Sequence, residues 1–158
     1  MNTRTPAVQD FYPEGFSHCL GCGRLNEHGR RFQTRRDGEE TVTRFTPHPH
    51  DTAVPGFVYG GLIAALIDCH AMATASAAAV KAAGHEIGEI PSPRFVTASL
   101  KVDYLKPTPL GPELEARGRI RERSERKAIV EVTLLAAGVV TARGEVVAVA
   151  MPAAMDRS

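Results

Sequence analysis

A long apolar segment near the middle of the chain constrains the fold more than any other feature. It runs from Gly60 to about Ala83, is rich in Ala, Leu, Ile and Met, and contains no proline. These residue types predict one helix of about 24 residues, which would be about 36 Å long. Because the segment is apolar nearly all round, we expect other parts of the protein to cover most of its surface. Gly84 is a natural C-terminal end for such a helix.

Strand patterns lie on both sides of the predicted helix. Before it, "RRFQTRRDGEETVTRFT" predicts two short strands around a turn at residues 37 and 38. After it, the even-numbered positions are apolar in both 96–104 and 114–120, and "KAIVEVTLL" and "VVTARGEVVAVAM" follow, so four antiparallel strands are predicted in series. The fold class is therefore α+β, with an antiparallel sheet of about six strands and one long helix in separate layers.

The length of the chain, 158 residues, fits one domain. Residues 1–29 contain scattered prolines and glycines without a clear period, which predicts an irregular lead-in. The main domain is expected to span residues 30–151, and residues 152–158 are expected to form a C-terminal tail.

Composition and charge exclude several classes of protein. A formal net charge of +1 provides no global field that would attract nucleic acid or an anionic membrane. The N-terminus lacks a continuous apolar region, and Asp68 and His70 interrupt the longest apolar stretch, so we expect neither a signal peptide nor a membrane span. The three cysteines are too few for a disulfide scaffold, which favours a reducing compartment and a cytoplasmic location.

One carboxylate interrupts the apolar helix. Between Gly60 and Val80, Asp68 is the only Asp, Glu, Lys or Arg. Burying an unpaired carboxylate costs several kcal/mol, so such a residue is usually paired, hydrogen-bonded or functional. At this point two interpretations are open: a structural carboxylate that accepts hydrogen bonds from a neighbouring segment, or a catalytic acid or base.

The start of the same helix is suited to bind a negatively charged oxygen. The first turn of a helix leaves backbone N–H groups without partners and carries a partial positive charge. Because Gly60 and Gly61 have no side chain, the carbonyl group of a ligand can approach these amides closely, and they would stabilise a developing oxyanion. The alternative is that the two small residues only allow tight packing.

Three motifs resemble those of a known family. They are "GFVYGGLIAALID" at 56–68, "TASLKVDYLKPTPLG" at 97–111 and "HCLGCGRLNEHG" at 18–29. Together with the order of the elements, they are similar to hot-dog acyl-CoA thioesterases of the PaaI-like group, in the 4-hydroxybenzoyl-CoA thioesterase-like superfamily. In that fold an antiparallel sheet wraps a long central helix. The first motif departs from the family in one place, because Tyr59 stands at the position of the family's histidine.

The resemblance implies roles for several residues. Asp68 occupies the family's acidic position, where the carboxylate is the nucleophile or the general base for water. Thr97 stands where the family often has a hydroxyl that faces this acid, and would position the attacking water. Tyr59 and the preceding Val58 are assigned to substrate binding, since the Tyr59 hydroxyl can donate to a carbonyl and its ring can line the acyl pocket. The alternative is a Tyr59 ring that only packs at the helix entrance.

The spacing of the predicted catalytic groups points to an oligomer. Asp68 lies seven residues after Gly61, so the two face the same way but are separated by about 10 Å along the helix axis. One scissile bond can hardly touch both within a single chain. The resemblance implies the same arrangement, with active sites between the antiparallel helices of a homodimer that is often doubled to a tetramer.

Basic residues are the remaining candidates for substrate binding. By a period of two, Arg117, Arg119, Arg121 and Arg123 fall on one side of a predicted strand. They form either a solvated face or, with Arg119 and Arg121 as the main contacts, a site for the phosphates of coenzyme A. The other basic candidates, between which the sequence does not choose, are Arg30, Arg31, Arg35 and Arg36.

No metal or cofactor is expected beyond the coenzyme A of the substrate. Cys19 and Cys22, with His18 and His28, have spacings that a zinc site can use, but only one cysteine pair is present. A turn-rich lead-in packed over the sheet is the preferred interpretation. Cys69 is expected to be a buried thiol that acts as a small hydrophobe. His70 is expected to be a core or interface histidine with a backbone partner.

Two other functions compete with hydrolysis of acyl-CoA. The replacement of the family's histidine by Tyr59 motivates a binding protein that keeps the acyl-CoA cleft without turnover. A hot-dog enoyl-CoA hydratase would need an acid and a histidine in a loop ahead of the helix. His50 and Asp51 resemble such a pair only poorly.

Overall fold

The computed structural model of the protein describes residues 5–157. Residues 1–4 of the predicted lead-in and residue 158 of the predicted tail lie outside the described residues. The strands are β1 (Thr34–Asp37), β2 (Glu40–Phe45), β3 (Phe95–Tyr104), β4 (Leu114–Arg123), β5 (Lys127–Ala136) and β6 (Val139–Ala150), and the helix is α1 (Gly60–Ala82). Short 3-10 helices span Val8–Phe11, Glu14–Phe16 and Ala153–Met155.

The central helix begins where the sequence predicts and ends one residue earlier. Gly84 adopts a φ of 84°, which a residue with a Cβ rarely does. Its N–H donates to the carbonyl of Lys81 at 2.9 Å, and the N–H of His85 donates to the carbonyl of Val80 at 3.2 Å. These two bonds are those of a Schellman motif, which satisfies the last carbonyls of the helix and stops it.

Within residues 5–157 the strands form one antiparallel sheet in the order β1-β2-β4-β5-β6-β3. The sheet packs against α1, and the contact is aliphatic: Leu66, Ile67, Leu114 and Leu134 are each 0% exposed. The predicted α+β hot-dog architecture is therefore confirmed, with the helix following the second strand. Strands β1 and β3 form the two edges of the sheet, and the longer edge is β3.

A bulge in β3 changes which residues face the helix. The pairing with β6 shifts between Thr97, which pairs with Ala148, and Ser99, which pairs with Val147. Ala98 is the extra residue, so Thr97 lies on the helix-facing side together with Leu100. The predicted alternation is correct after the bulge and wrong before it, because an inserted residue reverses the side on which all earlier residues lie.

A second bulge corrects the prediction for the arginines of β4. The pairing of β4 with β5 shifts between Ile120 and Glu122, and Arg123 pairs with Ala128, a buried residue. Arg123 therefore lies on the helix side of the sheet, whereas Arg121 contacts Glu145 on the outer face. The prediction that the four arginines share one side is wrong, because it assumed an unbroken period of two.

The described part of the lead-in, residues 5–29, contains two short 3-10 helices and turns, and it packs against the central helix. Val8 and Tyr12 are 0% and 3% exposed and form a second apolar cluster with Ala73, Ala77 and Ile87. By length and composition alone α1 could span a membrane, but 72% of its most apolar stretch is buried inside the protein. The lead-in thus supplies part of the covering that the apolar helix requires.

Candidate functional site

Asp68 lies on α1 opposite the start of β3. The hydroxyl of Thr97 donates a hydrogen bond of 2.5 Å to Oδ1 of Asp68. Among the described residues, Oδ2 of Asp68 has no hydrogen-bond or ion-pair partner. The structure therefore brings Asp68 and Thr97 together, as the resemblance implied, and leaves half of the carboxylate available for chemistry.

The surroundings of Asp68 shift the pKa of its carboxyl group. Burial among apolar neighbours raises the pKa of Asp68, whereas the hydrogen bond from Thr97 lowers it. The carboxylate is half-buried, so it is less solvated than a surface group and still reachable from outside. A carboxylate with reduced solvation and one unpartnered oxygen is well suited to accept a proton or to attack a carbonyl.

The start of α1 presents two free backbone amides. Within residues 5–157 neither the N–H of Gly60 nor that of Gly61 has a hydrogen-bond partner, and no side chain caps the helix. The ring of Tyr59 lies directly over Gly61, since a Cβ added there would come within 2.5 Å of the ring. At Gly60 an added Cβ would be 3.5 Å from Tyr104, an ordinary contact. Gly61 is therefore required for the position of Tyr59, whereas Gly60 is not.

A groove of about 310 Å³ connects these two parts of α1. Its walls include Tyr59, Gly61 and Asp68, which are residues that the sequence analysis assigned to the site. The remaining lining residues are Cys19, Leu20, Gly21, Arg30, Leu62, Ala65 and Cys69. The groove therefore runs along one side of the helix from Gly61, whose amide is free, to the carboxylate of Asp68.

Two features of this groove were missing from the sequence analysis. Tyr104 donates a hydrogen bond of 2.7 Å from its hydroxyl to the carbonyl of Gly60, and thereby holds the start of the helix. The aromatic residue that ends the strand in the motif at 97–111 was a signal for it. Leu20 and Gly21 of the lead-in form the second wall, and no local pattern predicts that a lead-in covers a groove.

Val58 does not line the groove of a single subunit. It is 6% exposed, belongs to the main apolar core, and its N–H donates to the carbonyl of Thr108 at 2.9 Å. Val58 instead holds the loop that leads to Tyr59.

Arg119 and Arg121 do not meet Asp68 either. Arg119 contacts Glu131 at 3.2 Å, and Arg121 contacts Glu145 at 2.6 Å, both on the outer face of the sheet. This position fits the solvated face that was the alternative interpretation of these arginines. Arg119 also lines a second cavity, of about 490 Å³, which it shares with Arg36, Lys81 and Arg123 near the C-terminal end of α1.

The loop ahead of the helix contains a paired carboxylate. Asp51 is 4% exposed, and Arg30 contacts its two oxygens at 2.6 and 3.0 Å. Asp51 also accepts the N–H of His48 at 2.8 Å, whereas the side chain of His50 is 74% exposed. Since Asp51 is fully engaged in holding the loop, the geometry gives no support to an Asp51 and His50 pair that acts on a substrate.

His70, two residues after Asp68, belongs to a closed polar cluster. Its Nε2 is 3.0 Å from the hydroxyl of Thr41, and its Nδ1 is 2.6 Å from that of Thr43. Burial lowers the pKa of His70 to about 3, so the ring is neutral at physiological pH. The predicted core position of His70 is confirmed. The predicted backbone partner is wrong, because the ring nitrogens contact the side-chain hydroxyls of Thr41 and Thr43.

The three cysteines meet beside the groove. Cys22 and Cys69 are buried, Cys19 is half-buried, and all three are free thiols. The sulfur of Cys69 lies 3.8 Å from that of Cys19. Hydrogen bonds from Cys22 and Cys69 lower the pKa of the Cys19 thiol. Cys69 is buried as predicted, but its position beside the lead-in cysteines was not predicted.

Comparison with known proteins identifies the family. The model of the thioesterase superfamily matches residues 55–143, which include the start of α1, Asp68 and Thr97. A thioesterase superfamily protein from Shewanella loihica PV-4 has 47% sequence identity and a TM-score of 0.67, over 87% of this chain and 96% of that chain. The chain belongs to the thioesterase superfamily.

Other solved structures share the fold of this thioesterase superfamily protein. The E. coli PaaI protein from the phenylacetic acid degradation operon has 13% identity and a TM-score of 0.62, over 78% of this chain and 81% of that chain. Zebrafish thioesterase superfamily member 2 has 15% identity and a TM-score of 0.60, over 76% and 81%. No functionally curated protein matches the sequence significantly.

Proposed function

We propose that the protein hydrolyses an acyl-CoA thioester at a site shared by two subunits. The amides of Gly60 and Gly61 polarise the thioester carbonyl, and Asp68 of the partner subunit drives the attack. One observation carries this proposal: a single groove connects the unpartnered amide of Gly61, next to that of Gly60, with a carboxylate that has one oxygen without a hydrogen-bond partner among the described residues. Membership of the thioesterase superfamily supports the choice of a thioester as the bond that is broken.

The proposed reaction has two balanced routes. In the first, Asp68 takes a proton from water, the hydroxide attacks the carbonyl carbon, and the oxyanion forms against the glycine amides. The oxyanion then collapses, the carbon–sulfur bond breaks, and the coenzyme A thiolate leaves and takes up a proton. In the second, Oδ2 of Asp68 attacks the carbonyl itself, coenzyme A leaves, and water hydrolyses the resulting anhydride.

Thr97 has a positioning part in both routes. Its hydroxyl holds Oδ1 of Asp68 at 2.5 Å, so the unpartnered Oδ2 keeps one orientation. A fixed nucleophile or base reacts faster than one that samples several rotamers.

The edge strand β3 is the proposed dimer interface. It is ten residues long, its outer edge has no strand partner among the described residues, and Leu100 and Tyr104 are 39% and 53% exposed. A long exposed strand edge with apolar side chains pairs readily with another chain. Thr97 lies on this strand and Asp68 faces it, so a partner at β3 would cover the carboxylate. A dimer of such dimers is part of the same proposal.

No cofactor other than the coenzyme A of the substrate takes part in the proposed reaction. The proposed partners are acyl-CoA and further copies of the chain, with no nucleic acid or membrane. The three free thiols fit a reducing compartment, so we place the protein in the cytoplasm.

The test of the proposal is release of free thiol from a panel of acyl-CoAs of different chain length and ring content. We expect turnover by the wild type and a loss of about 10²- to 10⁴-fold in Asp68→Asn. Asp10→Asn is the matched control, because it removes an exposed carboxylate outside the groove and should leave the rate unchanged. Wild-type turnover that persists in Asp68→Asn would exclude the proposed role of the carboxylate.

A single turnover in ¹⁸O-labelled water separates the two routes. If Asp68 activates water, the label appears in the acid product of the first turnover. If Asp68 attacks directly and water adds to the Asp68 carbon of the anhydride, the label appears in the carboxylate of the protein.

An acyl-CoA-binding protein without turnover is the second candidate, and the position of Tyr59 favours it. The ring covers Gly61 and stands where the family's histidine is expected, so it restricts access to one of the two amides. Tight binding of acyl-CoA without thiol release by any substrate would establish this function. Turnover gained in Tyr59→His would identify the tyrosine as the cause.

A further inference from the structure

The lead-in and the central helix contribute the three cysteines of the chain to one cluster. Cys19 and Cys22 come from the lead-in, and Cys69 comes from α1, next to Asp68. Each pair of sulfur atoms in this cluster lies within 4.8 Å, and the Cys19 and Cys69 sulfurs are 3.8 Å apart. Every thiol of the protein is therefore gathered at one point of the fold.

The spacing of the sulfurs fits a bound metal ion. Zn²⁺ binds thiolates at about 2.3 Å in tetrahedral geometry, which places two ligating sulfurs about 3.8 Å apart. The separation of Cys19 and Cys69 already has this value, and the limit of 4.8 Å for the other pairs is about 1 Å longer. A small movement of side chains is enough to bring the three sulfurs onto one ion.

The backbone around the cluster is already arranged for this approach. The carbonyl of Cys19 accepts the N–H of Gly23 at 2.8 Å, which closes the turn that contains both lead-in cysteines. A Cβ added at Gly21 would overlap the sulfur of Cys69, so only glycine lets the helix thiol reach the turn. The N–H of Phe32 donates to the carbonyl of Gly21 at 3.0 Å and holds the turn against the core.

One side of the cluster opens to the groove. Cys19 and Cys69 line the groove with Asp68, whereas Cys22 is 4% exposed and closes the far side.

We propose that Cys19, Cys22 and Cys69 form a binding site for one Zn²⁺ ion, with a fourth coordination position that faces the groove. Three thiolates are the donor set that soft divalent ions prefer in proteins. The ion would join the lead-in to the helix turn that contains Asp68, and so fix the groove wall opposite the substrate. This inference does not depend on the proposed hydrolysis, since it concerns binding of the metal alone.

The proposed ligands differ from those that the spacing of the lead-in suggested. His18 and His28 are exposed, and the side chain of His28 is 82% exposed and contacts Glu27. Neither histidine joins the group of potential metal ligands formed by the described residues. The third ligand comes instead from a residue 47 positions after Cys22, which the helix brings to the turn.

The test is metal binding by the full, reduced chain after treatment with a chelator. Titration with Co²⁺ should give an intense sulfur-to-cobalt charge-transfer band that saturates at one ion per chain, and Zn²⁺ should abolish the band. Bound Zn²⁺ should also protect all three thiols from a thiol-reactive dye. The wild-type spectrum reports the number of thiolate ligands without any substitution, so it remains informative if a cysteine variant fails to fold.

Variants then assign the ligands. Cys69→Ala and Cys22→Ala should each weaken Zn²⁺ binding by about 100-fold or more, since even outer-shell changes at metal sites cost up to about 100-fold. The double variant His18→Ala and His28→Ala is the matched control and should bind Zn²⁺ as the wild type does. Any of three results would overturn the proposal: no charge-transfer band, less than one ion bound per chain at micromolar Zn²⁺, or unchanged affinity in Cys69→Ala.

Discussion

Two polar residues on the same helix, Asp68 and His70, have opposite surroundings. Both ring nitrogens of His70 lie within hydrogen-bond distance of threonine hydroxyls, and the residue is 0% exposed. Asp68 accepts one hydrogen bond on one oxygen, and its side chain lines a groove. Both ring nitrogens of His70 are bonded to threonines of the sheet, whereas Oδ2 of Asp68 has no partner among the described residues.

The difference shows how a structural polar residue is distinguished from a candidate catalytic one. Both interrupt an apolar helix, and both are costly to bury without partners. The two residues differ in how many of their polar atoms lack a hydrogen-bond partner. They also differ in whether those atoms face a groove. A fully satisfied group contributes stability, and a partly satisfied group next to an opening is available for chemistry.

The largest expected effect in this comparison is that of His70→Ala on stability. The substitution leaves a cavity beside Gly118 and removes the shared partner of Thr41 and Thr43, so the free energy of unfolding should fall by about 3 kcal/mol. Urea unfolding followed by circular dichroism measures it. His50→Ala, whose side chain is 74% exposed, is the control and should change stability by less than about 0.5 kcal/mol. If His70→Ala unfolds at the same urea concentration as the wild type, His70 does not stabilise the fold.

Thr97→Val tests the proposed role of Asp68 through the rate of thiol release. It removes the hydroxyl that holds Oδ1 of Asp68, so kcat for thiol release should fall about tenfold, which corresponds to about 1.4 kcal/mol. Ser99→Ala, beyond the bulge and on the outer face of the same strand, should leave kcat unchanged. Equal effects of the two substitutions would contradict a specific role for Thr97.

Asp68→Asn should have the reverse effect on stability from His70→Ala. Because burial raises the pKa of Asp68, the charged form is disfavoured in the folded protein, and the neutral amide relieves this cost. The free energy of unfolding should stay within about 0.5 kcal/mol of the wild type or rise above it. A loss as large as that of His70→Ala would instead identify Asp68 as a structural carboxylate.

The smallest effect is expected for a pair of glycine substitutions at the start of α1. Gly60→Ala meets only an ordinary contact with Tyr104 and should gain up to about 0.5 kcal/mol, because alanine favours the helix. Gly61→Ala forces the Tyr59 ring to move, so the gain should be absent. Urea unfolding of both variants gives the difference, and equal gains would mean that Tyr59 does not rest on Gly61.

The ends of the helix and the order of the strands along the chain were predictable from local patterns. The order of the strands in the sheet was not, because β3 pairs with β6 at the far edge and β4 pairs with β2. Gly84 ends α1 because only a residue without a Cβ readily takes its φ of 84°. Asp68 was recognisable because a single charge in an apolar run is costly wherever the run is buried. These inferences need only the chemistry of neighbouring residues, which is why they did not depend on the tertiary structure.

The sides of the strands were less predictable, because bulges depend on pairing. Thr97 faces Asp68 only because Ala98 is an extra residue opposite β6, and Arg123 faces the helix only because β4 shifts after Ile120. An alternating pattern extrapolated through either position assigns residues to the wrong side.

The sequence by itself determined the elements, the long buried helix, its isolated carboxylate and the glycines at its start. Each of these follows from interactions between residues close in the chain. Only the tertiary structure decided that Cys69 meets Cys19 and Cys22, that the lead-in forms a groove wall, and that His70 is fully bonded. Those contacts join residues up to 50 positions apart, as between Cys19 and Cys69. Their geometry is set by how helix, sheet and lead-in pack together, which no local pattern encodes.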